Sequence, residues 1–248
     1  MLIALVNAST LVTDAELETI AAAIQIQFTL DISPAWGMVP PTVSFYTDKA
    51  NVPSWAWTLN VIDSDDAVQG ALGYHDQSAT GSVESFVMAA PILSNGGAVM
   101  IYDASNPAQY YVSATVSHEC AEMYLDRYCG NFVLGPQIAS GNMYCMEMAD
   151  AVEDGSYFHT IHGEQIAVSN FLFPAFFNMM ATANNKPFDR MGLLEKQFTM
   201  TKGGYQIVAT LSNEGQITAR TIYGDSMPQW RRDCKEKEFS RAGRRITR

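Results

Sequence analysis

Ser117-His118-Glu119-Cys120-Ala121-Glu122-Met123 sets one histidine and two glutamates within five consecutive positions. Read as a helix, it sets the His118 imidazole and the Glu122 carboxylate on one face, one turn apart, close enough to share an ion. A histidine nitrogen and a carboxylate oxygen both bind zinc at roughly 2.0–2.2 Å. Glu119 then occupies the general-base position of the zinc-protease pattern H-E-x-x-H, with Glu122 standing where the second histidine would be. One histidine with two carboxylates neutralises a dication more fully than two histidines with one carboxylate do. The set therefore predicts a weaker Lewis acid, or a preference for a harder ion such as Ca²⁺ or Mn²⁺.

A zinc site needs a third protein ligand from elsewhere in the chain. Glu147 and Asp150, in Glu147-Met-Ala-Asp150-Ala-Val-Glu153, are the best placed, and His75, His159 and His162 are the alternatives. His159 and His162 sit three apart in an expected hairpin, on opposite faces, and read as surface residues.

The elements around the motif follow from local signals. Met1–Val6 is too short and lacks a basic lead, so it reads as a first strand and not as a secretion signal. Thr13-Asp-Ala-Glu16 is a capping box, and Leu17, Ile20, Ile24 and Phe28 follow at helical spacing. Strand-like segments follow at 42–46, 55–62, 85–90 and 98–102, with Gly70–Asp76 as a short edge strand. Asn106-Pro107 predicts the start of the motif helix, which would run to about 127. Beyond it come an irregular or extended acidic segment at 143–153, a hairpin at 156–168, a helix over 171–183 that is bent or begun at Pro174, and strands at 206–211 and 216–222 flanked by turns at 203–205 and 213–215.

Composition bounds the function classes. With 248 residues, 48% of them hydrophobic and 17% charged, the chain has the make-up of a globular protein, and no apolar run is long enough to span a bilayer. The cysteines at 120, 129, 145 and 234 show no C-x-x-C spacing and suit a reducing compartment. The net charge of −11 combines a local +5 over residues 231–248 with −16 over the rest. An acidic body argues against nucleic acid as the main ligand, while a basic tail suits nucleic acid or an acidic neighbouring subunit, or reads as a solvated, mobile terminus.

The order of several landmarks resembles that of a zincin-like, H-E-x-x-E family encoded by bacteria and tailed phages. They are Pro34-Ala-Trp-Gly37, Ala71-Leu-Gly-Tyr-His-Asp76, Ser117–Met123, Glu147-x-x-Asp150-x-Val-Glu153, Val168-Ser-Asn-Phe171 with Pro174-Ala-Phe-Phe177, Gly203-Gly-Tyr205 and the arginine-rich end. The sequence departs at Asp126-Arg127, where relatives carry Asp-Pro. A glycine-marked edge strand, a loop and then the H-E-x-x helix is similar to zincin proteases generally.

The resemblance implies an α+β, zincin-like fold with a mixed sheet and an active-site helix; the expected division of the chain is that domain over 1–190, a small β-unit packed on it over 191–230 and a mobile basic tail over 231–248. It implies zinc on His118, Glu122 and Glu147 or Asp150, and Glu119 as the base that takes a proton from water attacking a peptide bond. Gly73, Tyr74 and His75 are the expected substrate-facing residues. The competing expectation is a virion structural protein that uses the same scaffold and contacts neighbouring subunits through its tail. The corresponding settings are a phage virion or the host cytoplasm.

Overall fold

The computed structural model describes residues 1–65, 72–77, 81–105, 109–128, 130–136, 142–181, 187–211, 217–230 and 232. The basic tail past Arg232, the Asn106-Pro107 signal, the turn at 213–215, Cys129 and Cys234 lie outside them.

Alternating and continuous apolar runs near the N-terminus build a five-stranded sheet. Its strands are β1 (Leu2–Ala8), β2 (Thr42–Tyr46), β3 (Trp57–Ile62), β4 (Gly73–Gln77) and β5 (Val83–Met88), in the order β2-β1-β3-β5-β4. All pairings are parallel except that of the edge strand β4, which runs antiparallel to β5. The interior strand β1 is apolar on both faces, with Ile3, Ala4 and Leu5 wholly buried, as a parallel strand covered from both sides requires.

Helix α1 (Asp14–Gln27) starts at the predicted capping box: the Thr13 hydroxyl accepts from the Glu16 amide, and the Glu16 carboxylate accepts from the Thr13 amide. A π-helical turn (Phe28–Ile32) leads into α2 (Ser33–Trp36), which ends at the left-handed Gly37. Helix α3 (Ala89–Ser94) follows β5 directly. Helix α4 (Val112–Leu125) carries the motif and packs between the β4–β5 edge and a hairpin of β8 (Ser156–Ile161) and β9 (Glu164–Ser169). Strands β6 (Phe132–Leu134), β7 (Asn142–Cys145), β10 (Tyr205–Leu211) and β11 (Ile217–Tyr223) form a second sheet in the order β11-β10-β7-β6. The molecule is thus a mixed α+β fold. Its last two strands join that second sheet through β10, which pairs antiparallel with β7.

Three expectations are corrected. The motif helix starts at Val112, not at 107, because Ala98 bridges Tyr111 and the carbonyls of Ala98 and Val99 accept from the Val112 and Ser113 amides, holding residues 110–111 extended. The same contacts leave 98–102 as isolated bridges instead of a strand. Among the described residues no long helix follows Phe171: Leu172 and Phe173 donate to the carbonyls of Met148 and Phe188, and a 3₁₀ turn over Pro174–Phe177 begins at the proline.

Candidate metal centre

Helix α4 is buried nearly all round, so its polar side chains lie in the core and need partners there. On the side facing α1 and β9, the Ser117 hydroxyl donates to Gln27 Oε1 at 2.7 Å and accepts from the Ser169 amide at 3.0 Å. Gln27 Nε2 then donates to the Ser169 carbonyl at 2.9 Å. Ser113 donates to the Ala167 carbonyl. These bonds fix the rotation of the helix about its axis, and with it the direction of the motif side chains.

The motif face meets β4 on one side and the 3₁₀ turn Asp150–Val152 on the other. His118 Nε2 lies 3.0 Å from Glu122 Oε1 and 3.2 Å from Asp150 Oδ1. The three residues are all buried and offer one nitrogen and two oxygens that converge within 4.8 Å. Two ligands of one tetrahedral zinc at roughly 2.0–2.1 Å stand roughly 3.3–3.4 Å apart, so the donor set fits a divalent cation in type and spacing. The turn bearing Asp150 is pinned by the Thr201 amide on the Ala151 carbonyl. Gly204 permits that approach, since a Cβ there would stand 2.4 Å from the Ala151 oxygen.

Of the two acidic candidates for third ligand, only Asp150 belongs to a converging group among the described residues. Glu147 is buried close by, with Cys145 Sγ 3.6 Å from its Oε1, and its charge helps to raise the Glu122 carboxyl. His159 is not a surface residue: its Nε2 is bonded to Asp31 at 3.0 Å, and it is half-buried. His162 is exposed, in the left-handed conformation of the hairpin turn.

The negative charge gathered here perturbs its members strongly. Burial, with Asp150 beside it, pushes the Glu122 carboxyl up to about 8. Burial alone would lower His118, but the carboxylates of Glu122 and Asp150 outweigh it and push the imidazole up to about 10. Burial also drives the Cys120 thiol far upward, which makes it a packing residue and not a nucleophile.

Strand alternation divides the three residues expected to face substrate. Gly73 and His75 turn toward α4, whereas Tyr74 stacks on Phe86 and bonds Asp65 on the opposite face. His75 is wholly buried, with Nδ1 3.3 Å from Glu119 Oε2 and 3.8 Å from Glu122 Oε2. That placement was open to the period-2 pattern, which puts positions 73 and 75 on one face, but the pattern does not say which face meets the helix. Gly73 is a steric necessity: a Cβ there would lie 2.6 Å from Glu119 Oε1.

Beside the cluster lies a cavity of about 20 Å³, lined by Gly73, Thr115, His118, Glu119, Glu153 and Ser169 among others. That is room for about one water and not for a side chain. The part played by Glu153 in lining it has no local signature in the sequence.

The chain was compared with family models, with curated proteins and with solved structures, and it matches none of them. Among the described residues, no helix is long and apolar enough to cross a membrane.

Proposed function

We propose that the protein is a zincin-like, metal-dependent hydrolase of peptide bonds. The observation that carries this reading is the convergence of His118, Glu122 and Asp150 beside Glu119 and a water-sized cavity. Held by these three residues, a zinc ion, or a harder ion such as Mn²⁺ or Ca²⁺, would supply Lewis acidity toward water and the scissile carbonyl. Glu119 accepts the proton of the attacking water and passes it to the leaving amine. Glu122 and Asp150 balance the charge of the centre. Gly73 leaves space for Glu119, and Ser117 and Ser113 hold the helix in register with its neighbours.

A peptide would lie along β4, whose outer side ends the sheet among the described residues and can add a strand by main-chain hydrogen bonds. The antiparallel edge strand alongside the motif helix supports the zincin-like reading. The full chain loaded with Zn²⁺ should cleave casein or members of a peptide library, and Glu119→Gln should reduce the rate by about 10²–10⁴-fold, the usual contribution of a general base. Tight metal binding without cleavage would instead favour a virion scaffold that keeps the centre for stability.

A further inference from the structure

We infer that a second divalent cation binds between His75, Glu119 and Glu122, so that Glu122 bridges two ions and the second one withdraws Glu119 from proton transfer. The withdrawal rests on the functional reading above; the binding site itself does not.

Glu122 presents different oxygens to different histidines. Its Oε1 lies 3.0 Å from His118 Nε2, and its Oε2 lies 3.8 Å from His75 Nδ1. His75 Nδ1 is also 3.3 Å from Glu119 Oε2. These two distances bracket the roughly 3.3–3.4 Å between ligands of one tetrahedral zinc. His75, Glu119 and Glu122 form a converging group of their own, distinct from His118, Glu122 and Asp150 and sharing only Glu122 with it.

The other nitrogen of His75 strengthens the assignment. Nε2 lies 3.2 Å from the carbonyl oxygen of Asp126, which can only accept, so Nε2 carries the hydrogen. This is the outer contact that fixes the tautomer of a metal-binding histidine, and in the neutral ring it turns the Nδ1 lone pair toward the two carboxylates. With these three ligand atoms converging in a buried site, a cation between them would balance the two carboxylates. The fold also makes room for the arrangement, since only a glycine at position 73 lets Glu119 Oε1 fold against β4. One nitrogen and two oxygens suit Zn²⁺ or Mn²⁺.

The test is a metal titration of the chelator-stripped full chain with Zn²⁺, read by calorimetry and by elemental analysis. Wild type should bind two ions per chain with separate affinities. Asp150→Asn should weaken the first, His75→Gln should weaken the second, and Glu122→Gln should weaken both. Each loss should reach at least about 100-fold, beyond the 10–100-fold typical of an outer-shell partner. Glu119→Gln should reproduce the His75→Gln pattern, which keeps the test informative if the buried histidine variant fails to fold. Loaded with Mn²⁺, wild type should give an exchange-coupled electron paramagnetic resonance spectrum, and His75→Gln an isolated-ion spectrum. Cleavage should rise with the first equivalent of zinc and fall with the second. One ion in both wild type and His75→Gln overturns the second site and leaves the functional reading intact. No bound ion overturns both. Two ions with cleavage that never falls overturns the withdrawal of Glu119 alone.

Discussion

Glu122 and His118 each hold a proton more tightly in the folded, metal-free chain than in the unfolded one. Glu122 rises from 4.5 to about 8, and His118 from 6.5 to about 10. Unfolding therefore releases protons, and stability must fall as pH rises. The fall begins above about 4.5, where the unfolded glutamate ionises, and ends near 10, where the folded histidine finally loses its proton. A cation bound there would replace those protons as the neutralising charge. The expected result is that Tm of the chelator-treated protein drops between pH 5 and pH 9, while zinc-loaded protein changes less, so the stabilisation by zinc grows with pH. Equal slopes in the two states would contradict this. Gly73→Ala belongs to the same scale. Its Cβ would stand 2.6 Å from Glu119 Oε1, and the displaced carboxylate should cost about 1–3 kcal/mol by denaturant unfolding along with most of any rate in the proposed peptidase assay.

At the scale of the element, α4 is a helix whose apolar periodicity is interrupted by Ser113, Ser117, His118, Glu119 and Glu122, all of them buried. The serines are the means of its docking. Ser117→Ala should leave Gln27 Oε1 and the Ser169 amide without a buried partner, at a cost of about 1–3 kcal/mol, and a thermal or urea melt reads it. Thr13→Ala should cost about 1 kcal/mol through loss of the α1 cap. The contrast between the two helices shows what sequence carries at this scale. The capping box of α1 is written within four residues and the start of that helix follows from it. The start of α4 is set by amides that bond Ala98 and Val99, and no local pattern around Asn106-Pro107 reports that competition.

Across the whole molecule, Asp31 joins three distant segments. It accepts from Tyr157 and His159 of β8 and from Arg190, at 2.9, 3.0 and 3.0 Å. Burial works to raise its pKa, but these bonds outweigh it and hold the carboxyl below its ordinary value. Because the folded pKa is the lower one, the stabilisation is present above the unfolded value of about 3.9 and disappears as pH falls through the folded one. Asp31→Asn should cost about 2 kcal/mol at neutral pH, and progressively less as the pH is brought below about 4.

Local signals along the chain specify the periodic and capped elements: β1, α1, the β8–β9 hairpin, and His118 and Glu122 on one helical face. Each of these depends on residues within a few positions of one another, where side-chain direction follows from backbone period alone. Tertiary structure decided the rest. It chose Asp150 over Glu147 for the converging group, turned His75 into the core beside Glu119, put His159 on Asp31, and tied β10 to β7. Those outcomes depend on which face of one element meets which face of another, and on where distant backbone amides find their carbonyls. Spacing along a chain cannot express either quantity, because both are set by how the whole core packs.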